Sequence, residues 1–134
     1  MKETELWQLL DHSMGHLWAA QRHEDKLSPD IPDVSYTYRG NSGWVELKAS
    51  SRVGEAPIAM PKLRPGQLNW MHHRARHGCP TFIAWATNGR LLLIPAVRIA
   101  EFDEKHTMAG WLQMAVCSPK LCPPEVQIAL KNSL

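Results

Sequence analysis

The chain has 134 residues, 44% of them hydrophobic and 21% charged, with 15 lysines and arginines against 13 acids and a formal net charge of +2. That length supports one domain with a real core rather than two, and the balance fits a soluble globular protein. No run approaches the roughly 20 apolar residues that cross a bilayer, the start MKETELWQLL lacks signal-peptide character, and Cys79, Cys117 and Cys122 have no repeated spacing, so a cytoplasmic protein with reduced thiols is expected.

Residues 3–20 have helical spacing, because Leu6, Leu9, Leu10, Met14 and Leu17 recur every three or four positions. A short strand candidate covers Ala19 to His23. Prolines in SPDIPD, residues 28–33, forbid helix, and DVSYTYR then alternates as a half-buried strand does. GNSG reads as a turn and WVELKAS as the next strand. The stretch SRVGEAPIAMPK, residues 51–62, has two prolines and a glycine without periodicity and predicts a loop. RPGQLNWMHHRARHG predicts a second helix, opened by Pro65 and stopped by Gly78. PTFIAWAT is almost wholly apolar, a strand covered on both sides, and Asn88-Gly89 signals a hairpin into RLLLIPA. Residues 97–116 predict helix interrupted near Gly110, and the tail beyond gives little. The order defines a mixed α/β fold with a central sheet flanked by helices, a single domain with a core of about residues 3–96 and a helical extension over 97–134.

Charge is unevenly spread. Residues 1–45 hold seven acids against four bases, whereas residues 46–98 hold eight bases against Glu46 and Glu55. A basic middle suits a phosphate backbone. Arg52, Lys62, Arg64, Arg74 and Arg76 are the candidates for gripping DNA phosphates.

With Gly40-Asn41 at the centre of a two-residue turn, Ser35 faces Glu46 and Asp33 faces Lys48. Asp33, Glu46 and Lys48 then project from one face of the hairpin, and Val34, Tyr36, Tyr38, Val45 and Leu47 from the other. Asp30 has the opposite parity. Two carboxylates with a lysine nearby can share a hard cation: oxygen donors select Mg²⁺ or Mn²⁺, which leave waters available for reaction. Such a metal activates water and offsets charge on a phosphoryl oxygen, and Lys48 can orient the water or neutralise the same charge, which fits phosphodiester hydrolysis. The plainer alternative is a cross-strand ion pair, worth up to about 1 kcal/mol on an exposed face.

These residues resemble the PD-(D/E)XK nuclease superfamily, and most nearly its virus-type replication-repair nucleases and phage Holliday-junction-resolvase-like proteins. The matching elements are Arg22-His23-Glu24, Pro32-Asp33, Trp44 with Glu46 and Lys48, and Gln67-Leu68-Asn69-Trp70, in order over about residues 20–95. The resemblance implies a restriction-endonuclease-like αβββαβ core, a divalent metal held by Asp33, Glu46 and the Leu47 carbonyl, Lys48 as the catalytic lysine, and Gln67 beside the metal water or scissile phosphate. A further acid is implied as well, supplied by Glu24 or by Glu5. It also implies an endonuclease acting on branched, flap or junction DNA in replication, recombination or repair, in host cytoplasm if viral. Paired cuts would call for a homodimer, and replication or recombination proteins would be its further partners. The chain departs from the family in carrying Asp30 where relatives have glycine, which bears on metal affinity or on the path of the loop.

A rival reading starts from His73 and His77, one helical turn apart with Cys79 nearby, and from His12 and His16 at the same spacing. Such pairs can bind zinc. They would suit a zinc-stabilised DNA- or protein-binding module without catalysis. A third reading is a nuclease fold kept only for binding, against which intact Asp33, Glu46 and Lys48 argue.

Overall fold

The computed structural model describes residues 1–24 and 27–134. Helix α1 (Glu3–Met14) leads through a 3-10 turn (Gly15–Leu17) into strand β1 (Ala19–Arg22). Strands β2 (Val34–Tyr38) and β3 (Asn41–Ala49) follow, then a two-residue β4 (Ile58–Ala59), helix α2 (Pro65–Arg76), and strands β5 (Thr81–Thr87) and β6 (Arg90–Pro95). A 3-10 turn (Ala96–Arg98), β7 (Lys105–His106), α3 (Met108–Met114) and α4 (Pro123–Ser133) complete the chain. Five strands form one sheet in the order β1-β2-β3-β5-β6, with β3 and β5 parallel and the other neighbours antiparallel.

The sheet separates two apolar cores, and strand alternation decides which side chain enters which. Val45 and Leu47 join Leu6, Leu10 and Met14 of α1 and Val126 and Leu130 of α4 on one side. Ile83, Trp85, Leu92 and Ile94 join Leu68 and Met71 of α2 and Trp111 of α3 on the other. Every residue of β5 is buried, as its unbroken apolar run predicts. The predicted first helix is shorter than its periodicity: at Gly15 the backbone takes φ 50, and the chain turns into β1. β6 is not left as a bare edge, because Val116, Cys117 and Pro119 bond to the backbone of Leu93 and Leu91.

The β2-β3 hairpin corrects the expected register. Tyr38 pairs with Asn41 and Ser35 with Trp44, so Arg39-Gly40 forms the turn instead of Gly40-Asn41. Both turn residues have positive φ, 50 for Arg39 and 80 for Gly40, as a type I′ turn requires. The displacement is two residues, and because side chains alternate with period two, the charged and apolar faces stay as expected. Ser35 no longer faces Glu46. The next step of the observed register sets Asp33 against Glu46 rather than Lys48.

Two further segments differ from expectation. Residues 51–62 are not a simple loop: β4 pairs with β7, Met60 is buried in the α2-side core, and Asn88 holds Val53 through both its N–H, at 2.7 Å, and its carbonyl, at 3.0 Å. Residues 97–116 contain a 3-10 turn, β7 and only the seven-residue α3, with Gly110 inside that helix.

Gly43 is required by its neighbour across the hairpin. A Cβ there would lie 2.4 Å from Tyr36 Oη and 2.8 Å from the Pro80 carbonyl oxygen. Burial, with the Cys79 thiol adding to it, pushes the Tyr36 phenol up to about 12. The ring is packed beneath β3 and its hydroxyl has no hydrogen-bond partner among the described residues. Gly43→Ala is expected to destabilise the fold by about 1–3 kcal/mol, as overpacking does, with urea unfolding as the measurement.

Candidate active site

The first turn of α2 shows why this sequence places a glutamine at the sheet. Pro65 opens the helix, and Gln67 at the third position accepts the Arg64 backbone N–H with its Oε1 at 3.1 Å, satisfying one of the otherwise unpaired amides. The same side chain faces β3. Its Nε2 donates to Glu46 Oε2 at 2.7 Å, and its Oε1 accepts from Lys48 Nζ at 3.3 Å. Gln67 therefore caps a helix and bridges two charged residues of the sheet.

Glu46 and Lys48 stand on the α2 side of β3, 3% and 4% exposed, in a region where charges are rarely buried without partners. They are partners to each other, with 3.3 Å between Oε2 and Nζ. Lys48 Nζ also donates to the Lys62 carbonyl at 2.9 Å. That carbonyl is presented from a residue with φ 58, a left-handed conformation uncommon outside glycine.

Asp33 lies just before β2, where the chain re-enters the sheet. Its backbone N–H donates to Glu46 Oε1 at 3.2 Å, and its carboxylate Oδ2 accepts the Leu47 N–H at 2.9 Å. The two acids are thus tied through the backbone of the opposing strand. Because a strand residue directs its N–H and C=O to the same side, the Leu47 carbonyl also faces the Asp33 side.

Asp33, Glu46, Lys48 and Gln67 line one open cleft of about 510 Å³, together with Glu3, Glu24, Pro29, Lys62 and Arg64. Glu24 is at its mouth, its side chain 76% exposed and 3.7 Å from Arg22. Glu5 is elsewhere: its carboxylate accepts the Lys2 backbone N–H at 3.1 Å and caps α1. Glu3 does line the cleft, and sequence reasoning missed it. The signal was present, since Glu3 precedes Leu6 and Leu10 on the inward stripe of the helix.

Asp30 does not enter the cleft. A Cβ on Gly66 would fall 2.5 Å from Asp30 Oδ1 and 2.6 Å from Oδ2, so the absence of a side chain at Gly66 makes room for this carboxylate over the first turn of α2. A negative charge is favourable there, by about 0.3–1 kcal/mol near a helix N-terminus. The Arg64 guanidinium donates to the Pro29 carbonyl at 2.7 Å, joining the same loop to α2 a second time.

Of the expected phosphate-gripping residues, Lys62 and Arg64 flank the cleft, and Arg74 and Arg76 are exposed further along α2. Arg52 does not line this cleft and borders a different cavity with Val53, Asn88 and Thr107. The histidine pairs gather no third ligand. The rings of His73 and His77 are 4.9 Å apart, the Cys79 thiol is directed to the Ser42 carbonyl, and among the described residues no group of three or more His, Cys, Asp or Glu is placed to hold a metal.

At the centre of the cleft Asp33 and Glu46 bring two carboxylates beside the Leu47 backbone, an all-oxygen set with its carbonyl, suited to a hard dication that keeps part of its water shell.

The five-stranded mixed sheet flanked by helices matches the fold of a solved junction resolvase. The chain is similar to the solved structure of Hjc, a Holliday junction resolvase from the archaeal hyperthermophile Archaeoglobus fulgidus, with a TM-score of 0.62 and 15% identity over 97% of this chain and 96% of that one. At that identity the likeness speaks for the fold. No family model matches the sequence, and no curated protein does. Among the described residues, no helix is long and apolar enough to cross a membrane.

Proposed function

We propose that this chain is a Mg²⁺- or Mn²⁺-dependent endodeoxyribonuclease that cuts branched DNA, such as flaps or four-way junctions, in phage-type replication, recombination or repair. The observation that carries the reading is the convergence of Asp33, Glu46, Lys48 and Gln67 on one cleft, from the entry to β2, the C-terminal half of β3 and the first turn of α2. An incidental cross-strand ion pair would sit on a solvated face, whereas Glu46 and Lys48 are buried beside an open cleft and bridged by Gln67 from another element. The resolvase-like fold supports the substrate class, and the virus-type nuclease motifs support the finer kinship.

Asp33, Glu46 and the Leu47 carbonyl would hold the metal, which when bound supplies a more acidic water and offsets charge on the phosphoryl oxygens. Lys48 adds a positive charge held in place by the Lys62 carbonyl, so that it needs little reorganisation as charge develops on the phosphate. Gln67 fixes Glu46 and Lys48 relative to each other. Glu24 or Glu3 at the cleft would supply the further acid, and Lys62 and Arg64 would hold flanking phosphates, with Arg74 and Arg76 continuing the track along α2. Paired cuts in a four-way junction would require a two-fold homodimer.

The test is incubation of the purified protein with labelled duplex, single-stranded, flap and four-way-junction DNA in Mg²⁺, in Mn²⁺ and in chelator. Cleavage of a branched substrate that needs the metal is expected. Cleavage that persists in chelator, or stoichiometric tightly held zinc with no cleavage, would overturn the proposal and favour the binding module.

A further inference from the structure

Trp44 stands on β3 two residues before Glu46 and on the same face, about 7 Å along the strand, yet it belongs to neither apolar core. Its ring meets His23 at 5.3 Å between centroids and Trp70 at 5.2 Å, edge to face. The Arg74 guanidinium lies 4.5 Å over the Trp70 ring. These three half-buried rings and an exposed arginine form a ladder from the end of β1, past the cleft, onto α2.

Beside Trp44 the α2-side core ends. No residue of β1 or β2 belongs to the α2-side core, and a groove of about 380 Å³ opens there along β1, β2 and β3. Gln21 brings an amide, Ser35, Thr37 and Ser42 bring hydroxyls that bond His23 and each other and keep further lone pairs, Trp44 forms a wall, and every residue lining the groove is neutral. A phosphate would find no cation in it. A nucleobase would find a ring to stack on and neutral hydrogen-bonding groups for its edge.

We propose that the groove and Trp44 hold an unpaired nucleobase at the branch point of the DNA, while Arg74 and the cleft residues take the adjacent phosphates. The proposal rests on the nuclease reading and names what that site would select. In an intact duplex both faces of each base are covered by its neighbours; at a flap or branch a face becomes available. Trp44 would therefore contribute to branched DNA and little to duplex, in contrast to Lys62 and Arg64, whose phosphate contacts would serve both.

The experiment measures binding in chelator, where nothing is cut, by wild type, Trp44→Leu and Trp44→Phe. Its probes are a duplex, a flap, and the same flap with an abasic nucleotide at the branch. Trp44→Leu is expected to weaken flap binding about tenfold while leaving duplex binding within about twofold, and Trp44→Phe to retain most of the flap affinity. The abasic flap should cost the wild type a similar factor and Trp44→Leu almost nothing more. Equal losses on flap and duplex, or an abasic penalty undiminished in Trp44→Leu, would overturn the assignment. If Trp44→Leu fails to fold, the abasic penalty with wild type and Trp44→Phe decides, and its absence from both overturns the proposal. A wild type that cuts flaps but shows none of these effects removes only the base-binding proposal. One that neither binds nor cuts any of the DNAs removes the nuclease reading with it.

Discussion

Lys48→Met is expected to reduce the rate of metal-dependent cleavage of branched DNA by about 10²-fold or more, the scale of removing one preorganised charge or donor from a reacting centre. Methionine keeps the bulk of the lysine stem, so packing against α2 is retained and the loss is of the ammonium alone. That ammonium lies 3.3 Å from Glu46 Oε2, and both side chains are almost fully buried. Removing one partner of such a pair typically costs about 3–5 kcal/mol, because the other charge is left in the interior. A domain of this size has about 5–15 kcal/mol in total, so the variant should remain folded with a clearly lowered midpoint. Activity and stability can be separated by pairing the substitution with Glu46→Gln. The double variant should recover part of the lost stability, since no uncompensated charge remains, and recover no cleavage. Single-turnover rates and thermal unfolding of the two single variants and the double variant are the measurements. Cleavage restored in the double variant would assign Lys48 a purely structural role.

The faces of the hairpin could be read from residues 33–48 because alternation is local. Its register could not, since the turn depends on Arg39 accepting a positive φ, which arginine does not advertise and Asn41 does. The two-residue error left Asp33 and Glu46 on one face but hid that they are direct opposites. Gln67 was legible as a helix-start residue, whereas its bridging of Glu46 and Lys48 depends on how α2 seats against β3. The place of Asp30 depends on a contact with Gly66, 36 positions away, that no local pattern encodes. Residues 51–62 lack periodicity because their order comes from Asn88, from β7 and from the Trp111 indole, which donates to the Ile58 carbonyl at 3.1 Å. In the tail, Val126 and Leu130 have helical spacing, but only the structure shows that α4 completes the core beside α1.

The two carboxylates should respond differently to neutralisation, because their hydrogen bonds differ. Asp33→Asn is nearly isosteric, and the amide oxygen can still accept the Leu47 N–H that Asp33 Oδ2 accepts at 2.9 Å. Its expected result is a protein of close to wild-type stability with cleavage lowered by about 10²-fold or more and with weakened binding of Mn²⁺. Glu46→Gln has no such freedom. Glu46 Oε1 accepts the Asp33 N–H, while Oε2 accepts from Gln67 and meets Lys48, so an amide nitrogen in either position would face a donor. Lys48 would also lose its buried counter-charge. Glu46→Gln is therefore expected to lose cleavage to a similar degree and to be less stable than Asp33→Asn by about 3–5 kcal/mol, the usual cost of leaving one charge of a buried pair without its partner. Urea unfolding, Mn²⁺ titration by calorimetry and junction cleavage of the two variants check the prediction together. Full activity in Asp33→Asn, with Mn²⁺ bound as tightly as by the wild type, would show that the Asp33 charge serves neither metal nor cleavage and that the metal, if used, is held elsewhere.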